Sequence, residues 1–402
     1  MAAGSAAFAT FCEKSVVEHL CRKLTAWADC PAGETDQKET APMGKRIAIV
    51  GGGYLGAELA KAMDQIAEVT LIEPRSHFVH ASAMIRAVVQ PSLVEESLIP
   101  YDRLLKRGRV VAARATAVYG EGVTLEDGTR VEADYIVVAT GSDYATPFKP
   151  KGADIDGLRA ANQETREKLL AAKTVGIIGA GAVGVELAGE IAHAMPDKEI
   201  TLITKDDKLF GGKPDSLGAS LSRKLKRAGV ELILGKKAEG LASMTEPHAG
   251  SLTLDGGAER TFDLIFPVLG ARAASELLKN LPGAEVTAAE RIKTDSYLRP
   301  SSLPNVFAAG DVADPGDNMT IVAVSRQLPW LRKTLTGLIT GRKLADMKTY
   351  RPWGAEAPIL LPLGPVRGDS FLMLFTVGDW VTQKMKGAHL FVSKYQKLLN
   401  RH

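Results

Sequence analysis

Three glycines at a fixed spacing are the first residues of this chain whose types and positions imply chemistry. Gly51, Gly53 and Gly56 follow the apolar run RIAIV and match the pattern G-x-G-x-x-G. In such a pattern the first glycine permits a tight turn, the second lets backbone amides approach a diphosphate, and the third lets a helix pack on the strand. The positive end of that helix also favours phosphate. The turn therefore predicts a binding site for a dinucleotide.

The elements around this turn complete the pattern. Helical character follows over residues 57–63, and a second apolar run, VTLI, ends at Glu73, 22 residues after Gly51. A carboxylate at the end of the second strand can accept hydrogen bonds from a ribose diol. The order strand, glycine turn, helix, strand, acid predicts that the cofactor contacts Gly51, Gly52, Gly53, Tyr54, Leu55, Gly56 and Glu73.

The same construction returns later in the chain. In TVGIIGAGAVGVELAGEIA, an apolar strand is again followed by Gly179, Gly181 and Gly184 and then by a helix. We call the two constructions the first and second modules. A second glycine turn at a strand end predicts a second dinucleotide site.

Two further landmarks repeat with the modules. Hairpin turns are predicted at Asp127-Gly128 and at Gly256-Gly257, and each is followed by an apolar strand that ends in glycine, at Gly141 and at Gly270. The offset from the first to the second module is 128 residues at the glycine turn and 129 at both later landmarks. A nearly constant offset indicates internal duplication. Thr140, Gly141 and Gly270, at the ends of these strands, are predicted to contact the cofactors.

A third strand ends in an acid. The run NVFAAG ends at Gly310-Asp311, and a helix is predicted from about Met319. If the chain returns here to the first module, Asp311 can bind the ribityl hydroxyls of a flavin. The helix start near Met319 and Thr320 would then face the pyrimidine edge of the flavin ring. The alternative is that Asp311 caps a helix.

The modules differ where nucleotide specificity is set. Thr204 and Lys205 follow the second strand of the second module, where the first module has Glu73. An acid there would repel a 2′-phosphate, and its absence leaves both NADH and NADPH open.

Composition limits the function classes. The chain has 402 residues, 45% of them hydrophobic and 24% charged, which is typical of a soluble protein of two or three domains. No apolar run reaches the roughly 18 residues of a membrane-spanning helix. A net charge of +3 and the lack of a basic aromatic array argue against nucleic-acid binding. Cys12, Cys21 and Cys30 are the only cysteines, so a reducing, cytoplasmic compartment is expected.

Four stretches, in order, resemble the two-dinucleotide-domain flavoproteins related to glutathione reductase. They are GGGYLG, VVATG, GAGAVGVELAGE and NVFAAGDVAD, and the likeness covers residues 45 to about 330. FVHASAMIRAVV, GRVV and the tail from YRPWGAEAP onward are closer to the apoptosis-inducing-factor-like oxidoreductases of the ferroptosis suppressor protein type. The resemblance implies FAD, NADH or NADPH as hydride donor, and a quinone as acceptor.

The resemblance also implies roles for three residues. Arg86 stands where that family has a flavin-contacting arginine, the backbone of Val110 where it meets the adenine, and Glu186 where a glutamate lies near the nicotinamide. The alternative for Glu186 is an ordinary exposed helix residue. The chain begins Met-Ala, so N-myristoylation is not expected. A disulfide reductase of this type needs a cysteine pair beside the flavin, and residues 31–402 contain no cysteine.

These observations predict an α/β fold with two Rossmann-like domains, the second inserted in the first, and a small C-terminal α+β region. Residues 1–43 form an extension with one amphipathic helix, and organelle targeting by this extension stays open. The predicted parts are then an FAD domain at 44–150 and 285–330, an NAD(P)H domain at 151–284, and a C-terminal region at 331–402. Pro329 is expected to interrupt the helix on the flavin side.

The C-terminal region leaves most alternatives open. From Trp380 to His402 there are five basic residues and no acidic one, which fits either an anionic lipid surface or a solvated basic face. The run SFLMLFTV, residues 370–377, is predicted to be a core strand, and no metal site is expected at His77 and His80. A quinone reductase, a slow NAD(P)H-sensing flavoprotein with a signalling role, and a ferredoxin-type reductase all remain open. So does the oligomeric state.

Overall fold

The structure is a computed structural model that describes residues 44–401. The extension at residues 1–43 and its predicted amphipathic helix lie outside the described residues. The strands are β1 (Arg46–Val50), β2 (Glu68–Ile72), β3 (His77–Val79), β4 (Leu98–Pro100), β5 (Arg109–Val111), β6 (Ala115–Tyr119), β7 (Gly122–Leu125), β8 (Arg130–Glu132), β9 (Tyr135–Val138), β10 (Ser142–Asp143), β11 (Thr174–Ile178), β12 (Glu199–Ile203), β13 (Glu231–Ile233), β14 (Ala238–Glu239), β15 (His248–Leu254), β16 (Glu259–Pro267), β17 (Arg272–Ala273), β18 (Ile292–Lys293), β19 (Val306–Ala308), β20 (Ala313–Asp314), β21 (Ile359–Pro362), β22 (Gly368–Phe371) and β23 (Thr376–Val377).

The helices are α1 (Tyr54–Met63), α2 (Ala81–Ala87), α3 (Ser92–Ser97), α4 (Ile155–Ala171), α5 (Ala182–Ala194), α6 (Asp215–Arg227), α7 (Glu276–Lys279), α8 (Ile321–Ile339), α9 (Asp379–Thr382) and α10 (Val392–Leu398). Short 3₁₀ turns lie at Leu344–Asp346 and Gly354–Glu356, and a π-helical turn at Gln383–Gly387 continues α9. Within residues 44–401, no helix combines the length and the apolarity that crossing a bilayer requires.

The first module is a five-stranded parallel sheet in the order β19-β9-β1-β2-β5. β1 is central and four of its five residues are buried, as expected for a parallel strand covered on both faces. On one face, α1 and α8 share a core with the sheet that includes Ile47, Leu59 and Leu335. Apolar burial on both faces is what allows such uninterrupted apolar runs to form strands.

The second module repeats this arrangement with one change. Its sheet has the order β13-β12-β11-β16-β15-β14, in which β11, β12, β13 and β16 are parallel. In the first module the predicted hairpin belongs to a separate sheet, β6-β7-β8. In the second module the hairpin is formed by β15 and β16, and the long strand β16 is also part of the second sheet. Both predicted hairpins form, with their turns at Asp127-Gly128 and Gly256-Gly257.

The chain returns to the first sheet after the second module, because β19 pairs with β9. The helix that follows, α8, starts at Ile321 and runs unbroken through Pro329 to Ile339, so the predicted interruption is wrong. Leu328 and Leu331, on either side of the proline, are buried in the first core. Burial of this face outweighs the roughly 3 kcal/mol that an interior proline costs. The predicted domain boundary at residue 330 therefore falls inside a helix.

The C-terminal region contains a three-stranded antiparallel sheet, β21-β22-β23. The prediction that residues 370–377 form one core strand is wrong. β22 ends at Phe371, β23 begins at Thr376, and the connecting residues form a tip at which Leu374 is 86% exposed. The predicted basic surface is also smaller than expected, because Lys386 is buried and Arg401 pairs with Asp102.

Candidate active site

The first glycine turn has the geometry of a diphosphate cradle. Gly51 has a φ of +103°, and a Cβ there would overlap the carbonyl oxygen of Ala139. A Cβ on Gly56 would overlap the carbonyl oxygen of Gly51, whereas the same position on Gly53 faces open space. The turn borders a cavity of about 630 Å³. The predicted residues that line this cavity are Gly51, Gly53, Tyr54, Leu55, Glu73, Thr140, Gly141 and Asp311.

Glu73 is fixed below this turn and is 1% exposed. Its carboxylate accepts a hydrogen bond of 2.6 Å from the backbone N–H of Gly52 and two from the Arg75 guanidinium, at 2.7 and 2.9 Å. Burial alone would raise the pKa of Glu73, but Arg75 and the backbone donors hold this pKa below its usual value. The carboxylate is therefore ionised, and it orients the turn.

The second glycine turn repeats this geometry. Gly179 has a φ of +110°, and a Cβ on Gly184 would overlap the carbonyl oxygen of Gly179. The turn opens into a larger cavity of about 1030 Å³. The predicted residues lining this second cavity are Gly179, Gly181, Glu186, Thr204, Lys205, Gly270, Asp311 and Met319. Each turn thus leaves room for one diphosphate.

The two cavities meet at a short polar chain. Tyr54, Ser142, Lys149 and Asp311 line both of them. The Ser142 hydroxyl donates to the Asp311 carboxylate at 2.6 Å, and the half-buried Lys149 ammonium donates to the Ser142 hydroxyl at 2.9 Å. Burial lowers the pKa of Lys149, although Asp311 opposes this shift. Sequence reasoning did not single out Lys149 or Ser142, although Ser142 directly follows the predicted Gly141.

Asp311 does not cap α8. The N-cap residue is Thr320, whose side chain accepts a hydrogen bond from the Ala323 N–H at 3.1 Å. The Asp311 side chain instead faces the junction of the two cavities. This position is compatible with binding the hydroxyls of an extended cofactor.

Glu186 lies at the wall of the larger cavity as part of a buried ion pair. It is 3% exposed, and the Lys386 ammonium contacts its two carboxylate oxygens at 2.7 and 2.8 Å. Burial raises the pKa of Glu186 and Lys386 opposes this shift without cancelling it. The alternative of an ordinary exposed helix residue is therefore wrong. Lys386 itself was not predicted, since it lies 200 residues away in the sequence.

Two residues predicted from the resemblance are not among the residues that line the two cavities. Arg86 is outside the lining of both cavities, and its guanidinium makes a bidentate ion pair with Glu190 on α5, with both hydrogen bonds at 2.9 Å. Val110 lies on β5, opposite Leu71 of β2, and also outside both linings. Arg86 and Glu190 are both buried, so the pair links α2 of the first module to α5 of the second.

An aromatic cluster closes one side of the larger cavity. Rings of Tyr54, Phe78, His80 and Tyr395 pack together, with centroid distances of 4.7 to 6.5 Å. His80 Nε2 lies 2.6 Å from the carbonyl oxygen of Leu390, which can only accept, so Nε2 carries the proton. Nδ1 then accepts from the Tyr54 hydroxyl at 2.9 Å. Burial lowers the pKa of His80 to about 4, so the ring is neutral. No group of three or more metal-ligating side chains occurs among the described residues.

Comparison with known proteins gives one family. The family described as "Pyridine nucleotide-disulphide oxidoreductase" matches residues 1–99 and 99–327. Apoptosis-inducing factor homolog B of Dictyostelium discoideum is 30% identical over 378 residues, which are 89% of this chain and 97% of that protein. Ferroptosis suppressor protein 1 of Taeniopygia guttata is 25% identical over 359 residues, which are 87% of this chain and 94% of that protein.

Solved structures share the fold. NDH2 from Plasmodium falciparum in complex with NADH aligns with a TM-score of 0.68 and 14% identity, over 88% of this chain and 94% of that one. The prediction of an α/β fold with two dinucleotide-binding domains is confirmed, as is the resemblance to apoptosis-inducing factor and ferroptosis suppressor proteins. The FAD and NADH or NADPH predicted as cofactors are confirmed too.

Proposed function

The chain belongs to the pyridine nucleotide-disulphide oxidoreductase family, and from that premise we propose that it transfers electrons from NADH or NADPH to a quinone. Membership establishes an oxidoreductase that uses FAD and a nicotinamide nucleotide; the quinone acceptor is the proposal. The observation that carries it is the apolar end of the larger cavity. This end is lined by Pro358, Ile359, Leu360, Phe391 and Tyr395.

A flat ring with an apolar tail fits these walls. Aromatic and aliphatic side chains bury such a ring, and a few polar groups fix its orientation. The polar groups at this end are Glu58, Lys386 and Lys394, together with the Glu186 partner of Lys386. A disulfide substrate is less suitable, because no cysteine follows Cys30 in the chain to exchange with it.

The cradles at Gly51 and Gly179 fit the diphosphates of FAD and of the nicotinamide nucleotide, respectively. FAD, when bound, supplies the capacity to accept a hydride and to release electrons to a different acceptor. The chain binds and orients: Ser142 fixes the carboxylate of Asp311, and the aromatic cluster around His80 excludes water from one wall. The Glu186 and Lys386 side chains hold an exchangeable proton at the cavity wall, which quinone reduction requires.

Steady-state turnover of the purified protein tests this proposal. A yellow protein that oxidises NADH or NADPH rapidly only when a short-chain quinone is present is the expected result. Oxidation that stops after one equivalent of nucleotide would contradict it and would favour a slow sensing flavoprotein. Salt-sensitive reduction of an added iron–sulfur protein, with no response to quinone, would favour a ferredoxin-type reductase.

We also infer that an anionic membrane surface meets the C-terminal region, where an apolar quinone would arrive. Met373 and Leu374 are exposed at the hairpin tip, and Trp380 is 51% exposed beside it with the Lys384 ammonium 4.6 Å from its ring centre. Exposed apolar side chains with an adjacent cation favour the interface of an anionic bilayer. Leu360 connects the two regions, because it packs under this tip and also lines the larger cavity.

A further inference from the structure

The two modules place different residues at the same structural position. Glu73 follows β2 and donates its backbone N–H to Val111 at 3.0 Å, and Thr204 follows β12 and donates to Ile233 at 3.0 Å. The glycine before each turn also donates to the last residue of its neighbouring strand, at 2.8 Å in both modules. Thr204 is therefore the structural equivalent of Glu73. This internal duplication provides a comparison within one chain.

The side chains at that position make different contacts in the two modules. In the first module the Glu73 carboxylate accepts from the backbone of the glycine turn. In the second, no carboxylate among the described residues accepts from the backbone N–H of Ala180, the equivalent of Gly52. The Thr204 hydroxyl instead contacts the carboxylate of Asp206 at 3.5 Å. A ribose 2′-hydroxyl would find no glutamate here, and a 2′-phosphate would meet no carboxylate at the base of the turn.

Lysines surround this end of the larger cavity. Lys205, Lys236 and Lys237 all line it, together with Asp206 and Glu239. Lys237 is neutralised by Glu239 at 2.7 Å. Within residues 44–401, the Lys236 ammonium has one hydrogen-bond acceptor, the backbone carbonyl of Asp255 at 3.2 Å. The Lys205 side chain has no hydrogen bond or ion pair within residues 44–401. Lys205 and Lys236 thus line this corner with ammonium groups that pair with no carboxylate among the described residues, and Asp206 lines it with a carboxylate that pairs with no lysine or arginine there.

We propose that the second module selects NADPH over NADH, and that Lys205 and Lys236 bind the 2′-phosphate of its adenosine. This inference rests on the proposed use of a nicotinamide nucleotide at the same site. A 2′-phosphate monoester carries between one and two negative charges at neutral pH. Two unneutralised lysines attract it as point charges, and Thr204 removes the repulsion that a glutamate would exert. NADH lacks the phosphate and gains nothing from either lysine.

Binding of nucleotide fragments tests this without requiring turnover. The full-length, FAD-loaded protein is titrated calorimetrically with adenosine 2′,5′-bisphosphate and with adenosine 5′-monophosphate. We expect the bisphosphate to bind at least about tenfold more tightly, and Lys205→Ala and Lys236→Ala each to reduce that advantage by about tenfold. Lys208→Ala is the matched control, because Lys208 pairs with Asp215 at 2.6 Å outside the cavity lining.

Kinetics provide the second readout. The ratio of kcat/KM for NADPH to that for NADH should fall in both lysine variants, because KM for NADPH rises more than KM for NADH. Thr204→Glu should lower this ratio further by restoring the acid of the first module. Retention of flavin absorbance shows that each variant is folded.

Either of two binding results would overturn the inference: equal binding of the two fragments by the unmodified protein, or lysine variants that weaken the binding of both fragments equally. An enzyme that turns over quinone with NADH in preference would refute NADPH selection while leaving the proposed function intact. Failure of both nucleotides to reduce the flavin would instead refute the proposed function.

Discussion

At the scale of single residues, the ion pair between Glu186 and Lys386 makes the sharpest prediction. Both partners are buried, so removing one leaves a charge without compensation, which typically costs about 3 to 5 kcal/mol. We expect Lys386→Met to lower the midpoint of urea unfolding strongly. The double variant Glu186→Gln with Lys386→Met should recover much of the loss. Additive effects of the two substitutions would contradict this pairing.

The neutral His80 predicts a pH dependence of stability. Burial lowers the pKa of His80 from 6.5 to about 4. Between these two pH values the ring is protonated in the unfolded chain and neutral in the folded chain. The stability contributed by the neutral ring is fully present above pH 6.5 and is lost as the pH falls to about 4. We expect thermal unfolding of the native protein to shift downward over this range. The shift should be smaller in His80→Gln, and identical shifts in both proteins would refute it.

Residue predictions succeeded where a short local pattern carries the chemistry. The glycines of both turns lie where the spacing predicts, because their roles depend on neighbours within a few residues. Lys386 could not be predicted, since its partner Glu186 lies 200 residues away and the contact is set by how distant segments pack. Arg86 shows the same limit: its partner Glu190 lies 104 positions away, on the other module.

At the scale of elements, the two glycine turns predict that the binding of each cofactor can be lost without loss of the other. A Cβ at Gly56 or at Gly184 would overlap a backbone carbonyl oxygen, which cannot move without distorting the turn. We expect Gly56→Ala to yield protein without bound FAD. Gly184→Ala should keep its yellow colour but lose reduction by the nicotinamide nucleotide. Visible spectra before and after addition of nucleotide distinguish the two.

The control for these variants is Gly120→Ala, where a Cβ would meet only ordinary contacts of 3.9 and 4.0 Å. This change should leave both the FAD content and the nucleotide response unaltered. Loss of FAD in Gly184→Ala as severe as in Gly56→Ala would contradict the assignment of one cofactor to each turn.

Secondary-structure elements could be predicted from the sequence where both faces of a strand are buried. The predictions failed where tertiary packing determines whether a segment continues. The buried parallel strands appear as continuous apolar runs because both faces are covered. Residues 370–377 form a similar run, yet it is divided by an exposed tip, and composition alone does not distinguish the two cases. Helix α8 continues through Pro329 because residues before and after the proline are buried in the first core.

At the scale of the whole molecule, the exposed hairpin tip predicts binding to lipid. We expect the protein to co-sediment with vesicles that contain phosphatidylserine, and less with vesicles of phosphatidylcholine alone. Leu374→Glu should abolish most of this binding, because it places a charge at the apolar tip. Leu170→Glu is the matched control, since Leu170 is exposed on α4 of the second module. Equal loss in both variants, or no vesicle binding at all, would refute the membrane surface.

Long-range polar contacts join the three parts of the molecule. Arg86 connects the first module to the second through Glu190, Lys386 connects the C-terminal region to the second through Glu186, and His80 connects the first to Leu390. The larger cavity lies among these contacts. None follows from local sequence, which explains why the architecture could be predicted and the acceptor end of the site could not.

The position of Tyr395 has a consequence for biogenesis. This ring packs in the same core as Ile47, and the Lys61 ammonium contacts the carbonyl of Leu398, so some 350 residues of translation separate the first and last parts of one core. A nascent chain stalled before this point lacks the ring that packs on Tyr54 and Phe78. The first core is therefore complete only after the ribosome has delivered α10, and a premature stop codon near the end of the message should yield a less stable protein.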